Sequence, residues 1–320
     1  MSQFDRLAVS VVFLSAVVGC AGGPKPAQEA ATSVPVPSSL TLDRTVSGPV
    51  FGRPLKAPEA IAVDKRGSVY LLDSGNKRVV WYNQELVPVR DFSGQGSETG
   101  KLNDPRGLCI DPGRNVWISD YGSKRLLGCN GQLEFATEIE FRDETDEFRL
   151  GRPGSLAVTN FGEFWVADLD NHRIAVLDQV GQIGQLVGDA GSPGGQLFEI
   201  TKVIADSHDR IYVCDRGDQR IVVYDDRGGL VTEIKHSALA DPVSIALDAH
   251  GRVWVLEQET GKLHCFDKDG RYLSSVGPII SGADQPPARP SDMVFLPDGR
   301  LVIVDTGHDR LLVCRVTGSQ

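Results

Sequence analysis

Short apolar runs alternate with polar turn clusters along most of this chain. In one stretch Ala60–Asp64 is followed by a turn at Lys65–Gly67, then Val69–Asp73, a turn at Ser74–Lys77, Arg78–Tyr82 and finally Leu86–Phe92. Runs this short, rich in Val, Ile, Leu and Tyr and punctuated by Gly, Asp and Asn, predict β-strands and not helices. The pattern then repeats. An acidic residue closes an apolar run at Asp73, Asp120, Asp168, Asp215, Glu257 and Asp305, at intervals of 47, 48, 47, 42 and 48 residues. Five positions after each acid stands a base: Arg78, Arg125, Arg173, Arg220, Lys262 and Arg310. Where the acid is Glu257 the base is Lys262, which predicts that this charge pair survives. Pro58, Pro105, Pro153, Pro242 and Pro290 open five of the units, and Ile200-Thr201 stands in that place in the fourth. Four short strands at this period predict a propeller blade. A parallel β-solenoid is the weaker alternative, because its repeats are usually shorter. The expected fold is all-β, a six-bladed β-propeller of four-stranded blades over residues 40–317.

The last unit ends on its third strand, Leu311–Val316, so one strand is missing. Leu40–Val46 precedes the first unit and partly alternates apolar with polar residues. It is expected to supply the fourth strand of the last blade, tying the chain ends together and removing an open sheet edge.

The segment before it has a different character. Leu7–Val18 is almost wholly apolar, a length that fits a signal-peptide core and not a membrane span. Val17-Val18-Gly19-Cys20 then resembles the bacterial lipobox, which implies cleavage after residue 19 and acylation of Cys20. Several acyl chains anchor firmly, at ~0.8 kcal/mol per buried methylene. Ala21, not Asp, follows the cysteine, the pattern that resembles outer-membrane sorting in Gram-negative lipoproteins. Residues 20–39 carry Pro24, Pro26, Pro35 and Pro37 among Gly, Ala and Ser and read as an extended tether.

Within the repeats, Pro-x-Gly-Leu-x-Ile-Asp at 105–111, then Val116–Asp120 and Lys124-Arg125, resembles the NHL repeat. So does Asp168-Leu-Asp-Asn-His-Arg173 with Ile174–Leu177, and Gly94–Gly100 and Gly188–Leu197 are similar to the Gly-rich segments that join NHL blades. The resemblance covers roughly residues 50–316, since six weak motifs stand in register. It implies a binding module for a protein, peptide or glycan. Some animal members bind RNA on a basic face. Here 33 basic against 43 acidic residues give a net charge of −10, which speaks against nucleic acid. The alternative is an exported lyase or lactonase-like enzyme with a metal ion in the channel.

Six equivalent acid–base pairs argue for a structural role, since no active site needs six copies. Residues that break the repeat are the better functional candidates. Positions just after the opening Pro are expected to ring the channel mouth, which makes Glu59, Arg106, Ser155, Lys202, Ser244 and Asp292 a mixed-sign candidate binding ring with Ser291 beside it. Arg106 and Lys202 there would repel a cation. A zinc site needs about three converging ligands. Only His172 and His308, in second-hairpin turns, could approach one another, while His208 and His250 fall on the opposite face. No metal or other cofactor is therefore expected. A run of acids, Glu138, Glu140, Asp143, Glu144, Asp146 and Glu147, reads as a solvated face. The cysteines after Cys20 are Cys109, Cys129, Cys214, Cys265 and Cys314, all in apolar segments, and an odd number without a Cys-x-x-Cys motif predicts buried thiols.

Overall fold

A computed structural model describes residues 34–94, 100–141, 150–192, 194–278 and 287–319. The leader, Cys20 and most of the tether lie outside these residues, as do Asp143, Glu144, Asp146 and Glu147 of the acidic run.

Each unit is a four-stranded antiparallel sheet in chain order. Blade one is Pro58–Val63, Val69–Asp73, Arg78–Tyr82 and Pro88–Phe92. Blade two is Pro105–Ile110, Val116–Asp120, Arg125–Cys129 and Phe135–Glu140, and blade three is Pro153–Val158, Phe164–Asp168, Arg173–Leu177 and Ile183–Val187. Blade four is Ile200–Ala205, Ile211–Asp215, Arg220–Tyr224 and Leu230–Lys235, and blade five is Pro242–Leu247, Val253–Glu257, Leu263–Phe266 and Tyr272–Val276. Blade six takes Pro290–Phe295, Arg300–Asp305 and Arg310–Ser319 from the end of the chain, and its outer strand is Val36–Val46. That strand pairs antiparallel with Arg310–Ser319, from Val36↔Ser319 to Val46↔Leu311. The expected closure forms, and it begins four residues earlier than the sequence pattern indicates.

Burial follows from this layering. The second and third strands are buried on both faces, so they read as continuous apolar runs, whereas the outer strands are mostly half-buried or exposed. Six apolar clusters fill the spaces between neighbouring blades. One joins blade one to two through Tyr70, Leu72, Leu108 and Ile118. Another joins blade six to one through Ile61, Leu71, Val302 and Leu311. A cluster across that last junction means that the ring is closed, since an open stack would leave it unfilled. All five cysteines beyond residue 20 are free and buried. Burial pushes Cys129, Cys214, Cys265 and Cys314 up to about 12, so they serve as core residues and not as thiolates.

The alternating strand directions put the inter-blade loops and the turns between second and third strands on one side of the disc, here the loop face. The turns between first and second strands and between third and fourth strands lie on the other, the far face. The strand Val36–Val46 begins at the far face, where Arg252 donates a hydrogen bond to the Pro35 carbonyl at 2.9 Å.

Candidate functional site

The repeated acids each hold an inter-blade loop. Asp73 accepts from the Lys56 amide at 2.8 Å, and Asp120 from Asn103 at 3.1 Å. Asp168 accepts from Gly151 at 3.0 Å, and Asp215 from Phe198 at 3.1 Å. Glu257 accepts from Ala240 at 3.0 Å and Asp305 from Ala288 at 2.7 Å. The donor is 17 residues upstream in all six. The partner arginine fastens the same loop from its other side: Arg220 donates to the Gly194 and Gln196 carbonyls at 2.8 and 2.7 Å, and to Asp215 at 3.0 Å. Arg78, Arg125, Arg173 and Arg310 bridge their own acids at 2.7, 3.5, 3.2 and 2.7 Å.

Blade five departs from the expected pairing. Lys262 is exposed, and Glu257 forms no ion pair with it. A lysine presents a compact ammonium, not a fork that can bond a carboxylate and loop carbonyls together. One Glu257 oxygen and one Asp241 oxygen are left buried without hydrogen bonds. Burial, reinforced by the charge of Asp241, pushes the Glu257 carboxyl upward.

The six mouth candidates do not form one ring. Each pairing of first and second strands shifts register just after the opening residue, at Pro58/Ala60, Pro105/Gly107, Pro153/Leu156, Ile200/Lys202, Pro242/Ser244 and Pro290/Asp292. Such a bulge re-aims side chains. Glu59 and Arg106 occupy the shifted position and stand at the rim, where they pair at 3.3 Å. Lys202, Ser244 and Asp292 lie one residue deeper, while Ser155 still falls within the longer shift of blade three. Asp292 is buried and is the hub of this inner layer. It accepts from Lys202 Nζ at 2.5 Å, from Ser244 Oγ at 2.6 Å and from the Ile61 amide at 2.9 Å, linking blades four, five, six and one. Ser155 accepts from the Val203 amide at 2.9 Å.

The rim continues into residues that the repeat pattern did not single out. Arg106 also pairs with Asp104 at 3.1 Å, and its guanidinium lies 5.6 Å from the Tyr121 ring centre. Arg152 stacks on the same ring at 4.4 Å and pairs with Asp170 at 2.7 Å, holding that carboxyl below the usual carboxylate range. This half-exposed belt spans blades one to three. Its sequence signal was present: Tyr121 follows the repeated Asp120, where the other units carry Ser74, Leu169, Arg216, Gln258 and Thr306. Opposite it, Arg216 pairs with Asp241 at 2.5 Å and Glu199 at 3.4 Å.

Among the described residues no group of three or more His, Cys, Asp or Glu side chains converges as a metal site would require. His308 bonds Asp305 at 2.9 Å within its own hairpin, and His172 bonds the Phe198 carbonyl of the loop leading into blade four. A buried ammonium beside the axial carboxylate also does not fit a channel metal.

The NHL repeat family matches residues 102–129 and 150–177. The chain is 28% identical over 133 residues to Protein brain tumor of Drosophila melanogaster, covering 41% of this chain and 13% of that protein. It is 28% identical over 160 residues to NHL repeat-containing protein 3 of Homo sapiens, covering 44% of each. The matches thus span under half the length of these relatives. A solved streptogramin B lyase superposes with a TM-score of 0.61 at 14% identity, covering 87% of this chain and 98% of that one, a likeness of fold. The chain is a six-bladed β-propeller that carries NHL repeats.

Proposed function

We propose that this chain is an exported, lipid-anchored binding module that presents its loop face to a protein, peptide or glycan partner at the cell envelope. The observation that carries the reading is the belt Glu59–Arg106–Tyr121–Arg152–Asp170. It sets an aromatic ring between two guanidinium groups on exposed rim, and Tyr and Arg are the residues that most often anchor interfaces. Two further points support it. The first strand, Val36–Val46, begins at the far face, opposite the rim. The net charge of −10 disfavours a phosphodiester partner.

The test is capture from an extract of the native envelope by the purified chain. Glu59→Arg combined with Arg106→Glu keeps the rim pair but inverts its charges, and is expected to lower capture tenfold or more. Unchanged capture would remove the rim from the reading. Stoichiometric metal in the purified chain would instead favour the enzyme alternative.

A further inference from the structure

The six innermost strands line an open axial cavity of about 270 Å³ beside the Asp292 hub. The side chains in its wall are apolar apart from the Cys109 thiol and one charged residue, Lys202, while the unpaired backbone edges of the innermost strands add polar surface nearly equal to the apolar. Towards the far face it shares Val63, Ile110, Val158 and Ala205 with a second cavity of about 220 Å³, whose walls carry Asp64, Lys65, Asp111 and Arg114. The result is a funnel with a charged vestibule, a barrel of apolar side chains between backbone edges, and a single ammonium at the end.

That ammonium is unusual. The Lys202 side chain is only 10% exposed, and Nζ gives one hydrogen bond, to Asp292. An ammonium has three donors, and the other two have no protein acceptor among the described residues. Lys202 lines the cavity, so an acceptor that enters can take these donors in place of water. Asp292 already neutralises Lys202, so a charged guest would lose hydration without gaining a free counter-ion. The volume exceeds the ~150 Å³ that suffices for benzene in an apolar protein cavity.

We infer that the axial cavity is a binding site, entered from the far face, for a small neutral molecule with an apolar ring or chain and one hydrogen-bond acceptor directed at Lys202. This site is independent of the rim belt, which lies on the other face.

Met293 lines the cavity, and the chain has 2 methionines, so a methyl-labelled Met293 gives one resolved reporter. Acetophenone titrated into the full chain is expected to shift the Met293 methyl signal saturably. Ethylbenzene, which lacks the acceptor, should bind about tenfold more weakly, and benzoate should leave the signal in place. Ala246→Leu and Ala157→Leu each narrow the barrel and should weaken acetophenone binding. Two are made in case one fails to fold. No saturable shift with acetophenone, equal binding of ethylbenzene or benzoate, or a shift unaffected in a folded narrowed variant would each overturn the inference.

Discussion

At the residue scale, the repeated Asp does two jobs with one carboxylate: it pairs with the Arg across its hairpin and accepts the amide 17 residues upstream. Removing it leaves the buried Arg78 guanidinium with Asp91 as its remaining anion and a loop amide unbonded. Asp73→Ala is therefore expected to cost about 3–5 kcal/mol in urea denaturation; a loss below about 1 kcal/mol would mean that the loop is held by other contacts. Blade five has the opposite problem. The Glu257 carboxyl is raised in the folded chain by burial, so its ionised form opposes folding above the unfolded value near 4.5. That opposition fades as pH falls through the folded value. Glu257→Gln should accordingly melt above the parent at pH 7, and the gap should close as pH drops towards 4.5. A gap independent of pH would contradict the assignment. The repeated residues were legible in the sequence because their spacing is covalent. The failure of Lys262 to pair was not, because it depends on what a lysine can reach in three dimensions.

At the scale of the elements, strands and turns could be read from apolar runs and Gly, Asp and Asn punctuation, and the borrowed outer strand from the missing one. The register shift could not. It moves Glu59 and Arg106 to the rim and leaves Lys202, Ser244 and Asp292 deeper, although all five sit one or two residues after the opening position. Gly107 shows how tight that layer is: a Cβ there would stand 2.4 Å from the Gly154 carbonyl of the next blade. Gly107→Ala should destabilise by about 1–3 kcal/mol through displaced backbone, and an unchanged denaturation midpoint would contradict the close approach. The closing strand makes its own prediction. Leu40 is 8% exposed and packs between blades five and six. Leu40→Ala should cost about 2–5 kcal/mol, and the check is whether denaturation shows a loss of that size; a surface-like effect under 0.5 kcal/mol would contradict the closure.

At the scale of the molecule, closure fixes two faces with different chemistry. The loop face carries exposed charge and a stacked tyrosine; the far face carries the funnel and the start of the closing strand. The circular plan could be foreseen from six copies of one unit. The identity of the rim could not, since Tyr121 meets Arg152 and Asp170 only when blades two and three are set side by side. Cys20→Ser is expected to release the protein from membranes, and unchanged partition in a fractionation would remove the lipid anchor. The most direct measurement of the binding reading is site-specific photo-crosslinking in intact envelopes, with the probe placed at Tyr121 on the loop face or at Phe161, which is 70% exposed on the far face. The account predicts a discrete adduct from Tyr121 and none from Phe161; an adduct from Phe161 alone, or from neither position, would contradict it.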